Sequence, residues 1–273
     1  MVEGRSLTRR SSQELPPELD ADKVVEALAG AVQALDARPS AAGLAIPGEM
    51  DGAGRCWGMA DFRGFDGVHL GDELAARLEC PVSLESEGNA AAIAERRYGH
   101  GRAHPNLLTL LIHERLSAGL VLGGELHRGN AGFAAQLAHL RIHSGDRARA
   151  CDCGRRGCLD AHVKVTDELL EKAAGGDEQA AAEVRDLIEA LGSGIAIAQN
   201  VLDLDAIVLT SSSARLFRQI EPGLRHTLRE LVYGSAAAEV PLFEGSLGLD
   251  AVLVGAAALA RDATEAAAAA QGA

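Results

Sequence analysis

Cys151-Asp-Cys153-Gly-Arg-Arg-Gly-Cys158-Leu-Asp160 carries three of the chain's five cysteines within eight residues, twelve residues after a histidine at His139. Soft ligands packed this closely on a Gly-rich segment converge on one tetrahedral metal, and zinc is the ion their chemistry selects. The competing reading is a set of unrelated thiols in a surface loop. Cys56 and Cys80 stand alone in sequence and read as ordinary small core residues. An odd cysteine count with a tight cluster fits a metal site in a reducing compartment better than a disulfide framework, so a cytoplasmic protein is expected.

Around this segment stand 273 residues, enough for one large or two small domains with a substantial core. The formal net charge of −13 argues against a concentrated basic face, so direct contact with nucleic acid is not expected of this chain. No apolar run reaches the roughly twenty residues that cross a bilayer, and the N-terminus opens on charged residues without a hydrophobic signal core. No membrane partner is expected.

Outward from the cysteine segment, strands and helices alternate. Residues 1–19, with basic Arg5, Arg9 and Arg10, read as a strand remnant or a mobile tail. Asp20 or Asp22 can cap a helix whose apolar positions Val24, Val25, Leu28, Val32 and Leu35 recur at helical spacing. Gly43–Ile46 reads as a buried strand ended by Pro47-Gly48, residues 51–67 as a loop holding the only tryptophan, Trp57, and Gly71–Leu78 as a helix. Pro81–Glu85 is a strand running directly into Ser86-Glu87-Gly88-Asn89 and a helix over Ala90–Tyr98. Polar residues at a strand's C-terminal end, opening a helix, are where α/β proteins place their sites.

After a linker whose His100 and His104 read as exposed, the pattern restarts with the strand Leu107–Ile112. A hairpin follows, joining Ala118–Leu122 to Glu125–His127 across Gly123-Gly124. Arg147, Arg149, Arg155 and Arg156 flank the cysteines and read as solvated loop charges. Helices are expected over Thr166–Ala174 and Glu178–Leu202, where Gly192 and Gly194 mark close packing against a neighbour. Ala206–Thr210 is a strand entering Ser211-Ser212-Ser213, Ala251–Ala260 a final helix, and Ala266–Ala273 a frayed end. The alternation suggests two α/β domains with a cleft between them: residues 1–103 with 252–273, and residues 104–251.

These segments together resemble the ROK family of sugar kinases and sugar-responsive repressors over roughly Ala42 to Asp262. The strongest match is Cys151 to Asp160, similar to the family's C-x-C-G-x-x-G-C-L-E with the last Glu shortened to Asp. Gln136-Leu-Ala-His139 lies where the family carries E-x-G-H. Weaker matches are Ala45-Ile-Pro47-Gly48, Gly64-Phe-Asp-Gly67-Val, Glu85-Ser-Glu-Gly-Asn89 and Gly123-Gly-Glu-Leu-His-Arg128-Gly129.

The resemblance implies a two-domain actin-like ATPase fold of the ribonuclease H-like, sugar-kinase type, with a zinc-binding loop. Its metal ligands would be His139, Cys151, Cys153 and Cys158, holding a structural Zn2+. A sugar or sugar derivative would be held by Ser86, Glu87, Gln136, His139 and Asp160, each of which still offers a hydrogen-bonding group. Glu87 stands where kinases carry the base aspartate, one methylene longer, and a misplacement of about 1 Å costs roughly a hundredfold in rate.

The nucleotide side departs further from the family. No D-x-G-G-T run precedes residue 42, and the Gly-rich second phosphate loop is replaced by His113-Glu114-Arg115-Leu116-Ser117-Ala118-Gly119. The adenosine-side glycines are replaced by Ser211-Ser212-Ser213. Side chains there crowd a nucleotide that needs bare backbone beside it, so ATP–Mg2+ is not expected. The expected function is a sugar-sensing regulatory domain of transcriptional-regulator type, acting as a homodimer or higher homo-oligomer. The alternative is an ATP-dependent, glucokinase-like sugar kinase with Glu87 as base. Family repressors carry a helix-turn-helix ahead of the kinase-like part, and the basic stretch Arg5 to Arg10 is too short to be one. The chain is expected either to lack that segment or to be a fragment.

Overall fold

The computed structural model describes residues 2–3, 6–12, 14–16, 19–35, 38–58 and 64–271. Its first elements are β1 (Val2–Glu3) and β2 (Ser6–Leu7), an antiparallel pair where a strand remnant was expected. The segment after them is tied down, because Arg9 bonds the Leu35 carbonyl and Arg10 pairs with Asp250. Arg5 lies outside the described residues.

Helix α1 (Ala21–Gln33) starts at Asp20, whose side chain accepts the Lys23 N–H at 3.0 Å, and it buries Val24, Val25 and Ala29. Next come β3 (Ala42–Ile46), β4 (Glu49–Met50), β5 (Cys56–Trp57) and α2 (Leu70–Leu78). Part of the expected loop is therefore a strand, with Glu49 paired to Trp57 and Met50 to Cys56. Residues 59–63 of that loop lie outside the described residues. β6 (Val82–Ser86) runs parallel to β3 and feeds α3 (Glu87–Tyr98), which begins three residues before the expected start because Ser86 caps it.

β7 (Leu107–Ile112), β8 (Leu116–Leu122) and β9 (Glu125–Leu126) form a meander, including the expected hairpin. After the cysteine segment come α4 (Asp167–Ala174), α5 (Glu178–Leu202), β10 (Ala206–Ser211), α6 (Leu216–Leu231), α7 (Ser235–Ala238), β11 (Leu242–Glu244) and α8 (Asp250–Gln271). Sequence reasoning did not foresee α6, α7 or β11, and α8 runs well past Ala260, through the stretch expected to fray.

The main sheet has the order β11-β10-β7-β8-β9, parallel through its first three strands and antiparallel beyond β7. Every residue of β7 is buried, as a strand covered on both faces requires. One apolar cluster joins this sheet to α4, α5 and α6, and a second joins α1 and α2 to β3 and Phe65.

Three close approaches set the packing. A Cβ at Gly194 would stand 2.5 Å from Leu159 Cδ2, and one at Gly192 2.7 Å from Thr227 Cγ2, so the glycines of α5 admit the residue after Cys158 on one side and α6 on the other. A Cβ at Gly255 of α8 would fall 1.8 Å from the Ala90 carbonyl oxygen of α3, a backbone atom that cannot step aside. Gly255→Ala gains about 1 kcal/mol of helix propensity but incurs about 1–3 kcal/mol of overpacking. Urea denaturation is expected to show the variant less stable than wild type.

Candidate sugar and metal sites

His139, Cys151, Cys153 and Cys158 place one donor atom each within 4.8 Å of one another. Cys153 Sγ and Cys158 Sγ are 3.7 Å apart, and Cys151 Sγ lies 3.9 Å from His139 Nδ1. A tetrahedron with metal–sulfur bonds of about 2.3 Å has edges of about 3.8 Å, so the set fits one metal ion. The sulfur spacing is far beyond a disulfide's roughly 2.05 Å. Burial and the neighbouring sulfurs push the Cys158 thiol up to about 12, whereas Cys153, beside the Arg155 backbone, is lowered. Without a metal the raised groups stay as thiols; a bound cation would deprotonate them and hold the three thiolates together.

The backbone winds the ligands into place by short bridges, Arg141 with Cys158 and Ala150 with Arg156. Arg147 and Arg149 are exposed loop charges as expected, and both are also ion-paired. Arg147 bonds Glu189 at 2.9 Å, and Arg149 reaches Asp186 at 2.7 Å, tying the loop to α5. Asp186 also meets the buried His162 at 3.1 Å, and these partners hold its carboxyl below the usual carboxylate range. His143, His162 and Asp186 form a second cluster of donor atoms, but two guanidiniums already neutralise its carboxylate and disfavour a cation there.

A cavity of about 350 Å3 opens beside the first cluster. It gathers Ser86, Gln136, His139 and Asp160 from well-separated parts of the chain, within the size range of small-molecule sites. Ser86 sits at the end of β6, where its hydroxyl accepts the Asn89 N–H at 3.4 Å. Asp160 is 3% exposed and accepts the Leu116 N–H of β8 at 2.8 Å, with Lys164 at 3.8 Å from its other oxygen. His139 belongs to both the metal cluster and the cavity wall. Glu87, half-buried in the first turn of α3, is not among the residues that line the cavity.

Sequence reasoning missed Glu49. It lies one residue beyond Pro47-Gly48, lines the cavity beside Trp57, and accepts a hydrogen bond from Gln136. Burial pushes its carboxyl up to about 6, with the negative charge of Glu85 adding to the effect and the Gln136 bond opposing it. Glu85 itself is paired with Arg128 at 2.8 Å and accepts a hydrogen bond from the Asn89 amide at 2.9 Å. Trp57 is held by its indole N–H, which donates to Asp51 at 3.0 Å. The signal that could have found Glu49 was its place just past a strand's C-terminal end.

At the positions aligned with the family's phosphate loop, His113 and Glu114 are exposed at the β7–β8 turn and Arg115 lines the cavity. Lys164 bonds the Glu114 carbonyl at 3.2 Å. At the end of β10 the serines are engaged locally: Ser213 N–H donates to Ser211 Oγ at 3.1 Å, and the Ser213 hydroxyl donates to Asp167 of α4. Of the isolated cysteines, Cys56 is fully buried as expected, but Cys80 is only half-buried. His100 is exposed as expected and stacks on Phe243 at 4.6 Å.

An α/β fold with such a cysteine–histidine cluster beside a polar cavity is what the resemblance to the ROK family implied. Residues 2–263 match the ROK family, and the chain belongs to it. The glucokinase of Thermotoga maritima is 26% identical over 251 residues, covering 81% of this chain and 78% of that protein. The xylose repressor of Bacillus subtilis is 24% identical over 204 residues, covering 69% of this chain and 52% of the repressor, so the chain spans about half that relative's length. In structure, a ROK family glucokinase from Streptomyces griseus in complex with glucose and AMPPNP superposes with a TM-score of 0.77 at 26% identity, covering 90% of this chain and 89% of its own. Among the described residues, no helix is long and apolar enough to cross a membrane.

A carboxyl raised in the folded state favours folding while protonated, and that contribution is lost as pH rises through its folded value. For Glu49, the rise from 4.5 to about 6 corresponds to about 2 kcal/mol at neutral pH. Glu49→Gln is therefore expected to be more stable than wild type by up to that amount at pH 7.5. The difference should vanish as pH falls below the unfolded value, to about pH 3, in urea denaturation.

Proposed function

We propose that this protein is a sugar-responsive member of the ROK family that binds a sugar or sugar derivative in the cavity without transferring phosphate. The observation that carries the reading is the convergence of Ser86, Gln136, His139 and Asp160 on one cavity. Polyhydroxyl ligands need such a set, because a buried polar group left unpaired costs about 1–3 kcal/mol. The replacement of phosphate-binding glycines by His113-Glu114-Arg115 and by Ser211-Ser212-Ser213 supports the loss of nucleotide. Residues 1–103 with 252–273, and residues 104–251, would be the two lobes that close on the ligand. Free thiols fit a reducing compartment, and the reading places the protein in the cytoplasm as a homodimer or higher homo-oligomer.

The resident metal in this reading is one Zn2+ held by His139, Cys151, Cys153 and Cys158. Four protein ligands leave no open coordination position, so the ion pins the loop and presents His139 and Asp160 to the cavity. Elemental analysis is expected to find about one zinc per chain. Cys153→Ser is expected to lose the metal and about 3 kcal/mol or more of stability.

The second reading, an ATP-dependent sugar kinase, is favoured by the glucokinase relative and by a carboxylate at Glu87. A general base must lie within reach of the hydroxyl it deprotonates, and the absence of Glu87 from the cavity wall weighs against it. Thermal shift against glucose, xylose, N-acetyl-D-glucosamine and ATP–Mg2+ separates the two. The proposal expects stabilisation by a sugar, about 2.7 kcal/mol at a hundredfold excess over Kd, and none by nucleotide. Nucleotide stabilisation with sugar-dependent ADP release would establish the kinase instead.

A further inference from the structure

The Glu49 carboxyl is held by a hydrogen bond from Gln136 and by no ion pair among the described residues. The residue is half-buried on β4 and faces the cavity. The charges around it are committed elsewhere or line the same cavity. Behind it, Glu85 of β6 is paired with Arg128. On its own hairpin, Asp51 is bound by Arg55 and Trp57. Also lining the cavity are Arg115, directed to Asp152 at 3.9 Å, together with His139, Arg155 and Asp160, the last flanked by Lys164.

An ionised carboxylate has about four acceptor positions, and the Gln136 amide occupies one of them. The remainder face a cavity that already holds Gln136 and Asp160. A side chain that lowers stability at neutral pH and satisfies no buried cation has the character of a functional group. The Glu49–Gln136 bond also joins two walls contributed by distant parts of the chain. A ligand entering between them must replace the amide donor with one of its own.

We propose that Glu49 is a ligand-contacting, specificity-determining residue whose carboxylate accepts a hydroxyl of the bound sugar, so that the cavity binds its ligand with Glu49 ionised. This rests on the sugar-binding reading above. It makes Glu49 an acceptor in the same cavity as Asp160, and it makes affinity fall as Glu49 takes up a proton.

The test is isothermal titration calorimetry of the full chain with glucose, xylose and N-acetyl-D-glucosamine at pH 5 and pH 7.5, in wild type and Glu49→Gln. The expected result is a sugar that binds wild type about tenfold more weakly at pH 5 than at pH 7.5, the fraction of Glu49 ionised having dropped by that factor. Glu49→Gln should bind weakly at both values with the pH dependence gone, although it is the more stable protein. A pH dependence that persists in Glu49→Gln assigns the titration to another group such as His139 and overturns the proposal. Equal binding by wild type at both pH values overturns it too, without needing the variant to fold, and in either case the sugar-binding reading stands. If none of the sugars binds wild type at either pH, the sugar-binding reading fails and this inference fails with it.

Discussion

The convergence of His139, Cys151, Cys153 and Cys158 is the constraint on which the rest of the site depends. The segment between Leu140 and Leu159 has little regular structure of its own, and two isolated bridges and the four donors fix its path. Once the path is fixed, Leu159 fills the notch left by Gly194 of α5, and Asp160 is delivered to the backbone amide of Leu116. His139 carries the constraint into the cavity because it belongs to both sites. Asp186 supports the arrangement from α5 by gathering Arg147, Arg149 and His162. A metal held by these four donors would therefore act on the cavity through His139, without an open coordination position of its own.

The cavity and the positions aligned with the family's phosphate loops differ in kind. Ser86, Gln136, His139 and Asp160 still line the cavity, and Glu49 adds a carboxyl to its wall. At the phosphate-loop positions, exposed His113 and Glu114 occupy the β7–β8 turn, Ser211 Oγ accepts the Ser213 N–H, and the Ser213 hydroxyl donates to Asp167 of α4. In the proposed reading these side chains take up the space beside the backbone that a nucleotide would need.

Much of this was legible in the chain itself, where local chemistry was strong. The cysteine spacing, the uninterrupted β7, the Asp20 and Ser86 helix starts and the close-packing glycines of α5 each follow from one physical rule applied to a few residues. α6 was obscured because Pro222 and Gly223 interrupt a pattern that Leu216, Ile220, Leu224 and Leu228 nevertheless keep at every fourth position. β11 is three residues long and gains its identity only by pairing with β10. In the site, Gln136, His139, Ser86 and Asp160 were readable by resemblance. Glu49 was not, since its role comes from burial beside Gln136, a residue distant in sequence. The ion pairs of Arg147 and Arg149 were not legible for the same reason, their partners lying on α5.

Trp57 lines the cavity and is the chain's only tryptophan, so its fluorescence reports on this site alone. The most direct measurement is titration of that signal with a sugar in the presence and absence of AMPPNP. The account predicts a saturable change with sugar that the nucleotide analogue neither reproduces nor alters. A signal that responds to AMPPNP, or a sugar response that tightens when AMPPNP is present, would contradict it.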